Sequence, residues 1–180
     1  MRRIVSLLIV FGSLALSAFT QTPSPQIVTV TRPGKVASYY NATKDVTTVV
    51  LGFSDVGGES ACGIYVSASA SYPGKAAAPP VDIKLVIMRI TPEEKIKSAP
   101  LRDLTFSADG QVMNLGLMET VTQQTMMDLR WETLQISVPY ESFLRIANAK
   151  TAEGKLGSAK FVLTENNLNF IRQFVSQFKA

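Results

Sequence analysis

The residues best placed for covalent chemistry lie in Gly57-Gly58-Glu59-Ser60-Ala61-Cys62-Gly63, which holds the chain's single cysteine. A nucleophile elbow has the form G-x-S-x-G, with glycine on both flanks so that a strained strand-to-helix turn can expose the serine Oγ. Gly58-Glu59-Ser60-Ala61-Cys62 lacks the second glycine, and the residues that follow continue as a strand. The sequence also has no histidine. That removes Ser-His-Asp and Cys-His catalysis, imidazole bases near neutral pH and almost every common zinc or copper site. The stretch therefore reads as a glycine turn feeding a core strand. Cys62 shares parity with Ile64, Val66 and Ala68, which places it on the apolar face as a small hydrophobe.

Lysine can activate a serine, and Ser158-Ala159-Lys160 offers that pair at i and i+2 on one strand face. Both fall opposite Phe161 and Leu163, in water, where lysine keeps its ordinary pKa and makes no useful base. Glycoside hydrolysis needs two carboxylates, one with a raised pKa. Asp103, Glu119, Asp128, Glu132 and Glu141 are available, none within a motif, and Glu93-Glu94 reads as a charged turn. No D-x-D-x-D-G calcium loop is present, so neither a metal nor a cofactor is expected.

The elements that position these residues are read from periodicity. From Ile27 to Val138 the signal is period two, broken by turn residues every eight to twelve positions, as in antiparallel β proteins. Val49, Leu51 and Phe53 share one face. Cys62, Ile64, Val66, Ala68 and Ala70 form another, and Val81, Ile83, Leu85 and Ile87 the next. Tyr72-Pro73-Gly74-Lys75 fits a type II turn, and Thr91-Pro92-Glu93-Glu94 ends a strand. Asp109-Gly110 is a two-residue hairpin turn between Leu104/Phe106 and Val112/Met113. Leu117 to Met127, rich in Thr and Gln, fits either an edge strand or a long loop. Leu134, Ile136 and Val138 lie on one face of the strand Trp131 to Val138.

At Pro139 the period changes. Pro at the first helical position followed by Tyr140, Phe143, Leu144 and Ala147 predicts a short amphipathic helix. A hairpin bending at Glu153-Gly154-Lys155-Leu156-Gly157 comes next. A last helix starts with Thr164 as N-cap, Glu165 in the first turn and Leu163/Leu168 as a hydrophobic staple. Its stripe of Leu168, Ile171, Val175 and Phe178, widened by Phe170 and Phe174, is expected to pack on the sheet. Phe170, Phe174 and Phe178 form the one candidate interaction patch, should part of that stripe stay exposed.

Arg2-Arg3, the apolar run Ile4 to Leu16 and small residues around Ala18 to Thr20 read as a secretory signal peptide, too short to span a bilayer. The expected organisation is a signal peptide at 1–20, an extended lead-in at 21–33 and one domain at 34–180. Removing the leader takes away Arg2 and Arg3 and lowers the net charge from +4 to +2. No Lys/Arg cluster suited to phosphates remains, so nucleic-acid binding is not expected. Nor is stable membrane insertion of the mature chain, and one cysteine permits no internal disulfide.

Val138 to Ala180, with Phe143-Leu144-Arg145-Ile146-Ala147, the Glu153 to Gly157 hairpin and the helix from Thr164, resembles the closing strand-helix-hairpin-helix unit of uncharacterised exported bacterial β-sandwich proteins. The resemblance covers the last quarter of the chain and implies a periplasmic or secreted protein; it carries no catalytic residues. The fold class is thus mainly β, an antiparallel β-sandwich (immunoglobulin-like or jelly-roll-like) with two short helices in the C-terminal region. The function that follows is a non-catalytic binding or structural module of the cell envelope or extracellular space, with an unknown protein or glycan partner. The alternatives are a carboxylate-dependent glycan hydrolase, and an assembly subunit using the last helix or an exposed sheet edge.

Overall fold

Alternating β-branched and small polar residues give strands with one apolar face, and among the described residues ten strands, most of them of this kind, form two antiparallel sheets. The computed structural model describes residues 32–58, 63–95 and 102–178. The segments expected to be a signal peptide and, for the most part, the lead-in, as well as Ser60 and Cys62, lie outside them. In the first sheet β1 (Val36–Asn41), β2 (Val46–Asp55), β3 (Gly63–Pro73), β4 (Asp82–Pro92), β8 (Leu129–Pro139) and β7 (Glu119–Met126) are ordered β1-β2-β3-β4-β8-β7. The second sheet contains β5 (Asp103–Ala108), β6 (Gln111–Leu117), β9 (Ala152–Leu156) and β10 (Ala159–Leu163), ordered β10-β9-β5-β6. Helix α1 (Tyr140–Asn148) links β8 to β9, and α2 (Glu165–Ser176) follows β10. The mainly β, sandwich-like arrangement with two helices in the C-terminal region is the one the periodicity implies.

One hydrophobic cluster joins both sheets and both helices. Val49, Leu51, Ile64, Val66, Ile83, Leu85, Ile87, Leu134 and Val138 line the inner face of the first sheet, and Leu104, Phe106, Leu156 and Phe161 answer from the second. Three sequence expectations need correction. Val81 is 86% exposed because it precedes β4 rather than belonging to it. Phe53 is not fully buried, because the β2/β3 register shifts between Leu51 and Ser54. That irregularity turns Ser54 and Val56 inward instead. Glu153 to Leu156 lie within β9, and the bend falls at Gly157, whose φ is +59°. Gly154 is in the strand for space: a Cβ there would enter the ring of its cross-strand partner Phe161.

The helices are fixed by polar contacts as well as burial. Thr164 caps α2, its Oγ1 accepting from the Asn167 amide while the Asn167 Oδ1 accepts from the Thr164 amide at 2.9 Å, the reciprocal capping-box arrangement. Buried Asn167 also donates to Ser54 Oγ at 2.7 Å and to the Asp55 carbonyl at 3.0 Å, tying α2 to β2. Arg172 donates to the Ala147 and Ala149 carbonyls at 3.0 and 2.9 Å, which satisfies the open end of α1. Pro139 stands at the N-cap of α1 as the last residue of β8, one position earlier than expected.

Candidate functional site: a two-sided sheet edge

Strand β7 is exposed at all eight of its residues. Successive strand residues point to opposite faces, so both faces of β7 meet solvent, and among the described residues β8 is its one neighbour in the sheet. From Thr120 to Met127 the sequence carries no charge and no proline. Natural edges are usually blunted by charge, proline or cover; here the devices are a register shift between Thr120 and Thr122 and Glu119 at the start of the strand. The β7–β8 turn places Met127 and Asp128 at φ +53° and +58°, and Met127 is 86% exposed. Methionine gains nothing from left-handed backbone. An apolar tip thus stands at the end of an uncharged edge, and Val121 and Met126 are exposed along it.

A cleft of about 600 Å³ lies on the second sheet, lined among others by Ser107, Val112, Glu153, Lys155, Lys160 and Val162. Lys155 and Lys160 stand directly opposite each other on β9 and β10, a like-charge pairing that disfavours the sheet. Ser158 lies in the turn rather than on a strand face with Lys160, and both are exposed, consistent with a solvated hairpin.

A buried charge cluster sits deeper. Arg89 continues the inner face of Ile83, Leu85 and Ile87, and Glu132 continues that of Leu134 and Val138. Glu132 accepts from Arg89 Nε at 3.2 Å and Nη2 at 2.5 Å, and Arg102 Nη2 lies 3.6 Å from its other oxygen. Among the five carboxylates singled out from sequence, Glu132 is the buried one, and its ion-pair partners are arginines. Asp103 begins β5, Glu119 begins β7, Asp128 is in the tight turn and Glu141 in the first turn of α1, all exposed. Among the described residues there is no group of three or more acidic, histidine or cysteine side chains suited to a metal ion.

The aromatic patch expected on α2 is not a surface. Phe174 and Phe178 are both at 0% exposure. They form an edge-to-face cluster with Phe143, Tyr72 and Tyr140 at centroid distances of 5.1 to 6.1 Å, because α2 packs on α1 as well as on the sheet. Phe170 is half-buried, its ring against Gly34 where any Cβ would collide. Sequence reasoning left β7 undecided because burial periodicity is absent from it. Its signal was compositional: Thr, Gln and Val in a strand-length run between two charged residues. Among the described residues no helix is long and apolar enough to cross a membrane. Comparison of this chain with protein-family models, curated proteins and solved structures finds no match.

Proposed function

We propose that this chain is a non-catalytic, exported binding module that recruits an extended segment of another protein by strand addition to β7. One observation carries the reading: β7 offers a proline-free edge eight residues long, uncharged from Thr120 onward, with both faces open. In strand addition the main-chain hydrogen bonds supply affinity, and alternate side chains supply selectivity. Beyond the register shift Thr122, Gln124 and Met126 lie on one face and Gln123 and Thr125 on the other, and Met126-Met127 adds an adaptable apolar contact at the tip. Export rests on the leader pattern of Arg2-Arg3 and Ile4 to Leu16, and on the resemblance of the last quarter to exported β-sandwich proteins.

The test is selection of a displayed random dodecapeptide library on the full chain, in parallel with a glycan array. The expected result is peptides of high β propensity whose binding is lost in Gln123→Lys, a change that charges the edge and leaves the core untouched. Recovery of glycans alone, with binding lost in Lys155→Glu or Lys160→Glu and kept in Gln123→Lys, moves the function to the cleft on the second sheet and overturns the proposal.

A further inference from the structure

The inner face of β7 leads into a surplus of positive charge. Across β7 and β8, Gln123 pairs with Glu132 and Thr125 with Arg130; across β8 and β4, Glu132 pairs with Arg89 and Arg130 with Thr91. Cross-strand partners share a face, so two rows run through the sheet to its open edge, Arg89-Glu132-Gln123 and Thr91-Arg130-Thr125. Arg102 stands over the first row, 3.6 Å from Glu132 Oε1. Three guanidiniums thus gather at this end of the sheet about one carboxylate.

That carboxylate does not satisfy them. Glu132 Oε2 accepts both bonds from Arg89, and Oε1 accepts none. The buried Nε atoms of Arg102 and Arg130 have no hydrogen-bond partner among the described residues. Glu93 and Asp128, joined at the same end by a hydrogen bond from the Glu93 amide to the Asp128 carbonyl, are exposed and pair with no arginine there. A buried N–H without an acceptor costs stability, and two uncompensated positive charges favour a further carboxylate at this place. Both arginines can be reached: the Arg102 side chain is 33% exposed and Arg130 is half-buried.

We propose that the strand received by β7 brings this carboxylate, as an acidic residue opposite Thr125 whose side chain lies on the inner face and is bound by Arg130 and Arg102. The inference rests on strand addition to β7 and names the kind of segment that is added. A residue opposite Thr125 is two strand spacings, about 10 Å, from Arg130. Two long side chains extended toward each other close that gap, so glutamate suits it better than aspartate. The planar guanidinium takes a carboxylate through two N–H donors at once, and rotamer changes that turn such a fork onto its partner are common when interfaces form. The other face of β7 offers nothing comparable, since Thr122, Gln124 and Met126 pair with Thr133, Trp131 and Leu129. One acid therefore selects the register as well as the partner, because a slip of one residue moves it to the face without a cation.

The experiment takes peptides selected from the dodecapeptide library on the full chain and replaces their acidic residues one at a time by the corresponding amide. Fluorescence anisotropy measures each pair on the parent, Arg130→Gln and Arg102→Gln/Arg130→Gln, and hydrogen exchange of β7 is read in the same complexes. The expected result is one acidic position shared by the peptides, whose amide replacement weakens binding to the parent about tenfold or more, less in Arg130→Gln, and not at all in the double variant. A variant that is merely misfolded weakens both members of a pair alike. Alternate-amide protection of β7 by peptides that share no acid overturns this inference and leaves strand addition standing. So does an amide replacement that costs the same in all three proteins. Absence of β7 protection with every selected peptide overturns strand addition, and this inference with it.

Discussion

Arg89 and Glu132 face each other across β4 and β8 on the inner face of the first sheet, Nη2 to Oε2 at 2.5 Å, with side chains 7% and 2% exposed. A pair this dry is weak evidence of net stabilisation, because two desolvation costs offset the attraction. Breaking it is another matter. Glu132→Gln leaves the Arg89 charge without its counterion and is expected to lower stability by about 3 kcal/mol, whereas Arg89→Met/Glu132→Leu stays within about 1 kcal/mol of the parent. Urea denaturation of the three proteins checks this; a double variant as unstable as the single one refutes it.

Asp109 begins the β5–β6 turn at φ +49° and accepts from the Thr151 and Lys150 amides, both at 2.9 Å. The Thr151 amide foremost, then the Lys150 amide, holds its carboxyl below the ordinary 3.8. A folded-state pKa below the unfolded one contributes stability that is present above about pH 4 and lost as pH falls through the folded value. Asp109→Asn tolerates the same backbone and removes the charge. The parent should be the more stable at pH 7, and the difference should close as pH falls through the folded value, below the ordinary 3.8. A difference that persists undiminished in acid assigns the effect to something other than the carboxylate.

Gly154 and Phe161 are paired across β9 and β10, and Phe161 meets Phe106 edge-to-face at 5.6 Å. Gly154→Ala drives a methyl into that ring and is expected to cost about 2 kcal/mol, with most of the loss recovered in Gly154→Ala/Phe161→Leu. Additive losses in thermal or chemical denaturation of the double variant would mean that the ring is not what requires the glycine.

The inner faces of β3 and β4 and the start of α2 were legible in the sequence because burial writes a period there: Ile64, Val66 and Ala68, then Ile83, Leu85 and Ile87, then Thr164 ahead of Leu168. Elements that obey other constraints were not. Gly154 resembles a bend residue but serves Phe161, a contact seven residues downstream that propensity does not encode. Phe53 lost its parity to the register shift in β2. The stripe Phe170, Phe174, Phe178 is wide because α2 packs on α1 and on the sheet together, and a single-helix pattern does not distinguish a second partner from an exposed patch. Arg89 did carry a signal: a charged residue in an inward row, with Glu132 in the inward row that pairs with it. β7 has no apolar face, so nothing in its pattern separated strand from loop.

Hydrogen exchange at single amides of β7, with and without a library-selected peptide, tests the central claim most directly. An added strand hydrogen-bonds to the amides that point away from β8, which are every second residue. The account predicts slowed exchange at alternate positions from Thr122 to Met126, beyond the register shift, absent in Gln123→Lys. Uniform exchange along β7 with the peptide bound, or protection confined to the face of Lys155 and Lys160, would contradict it.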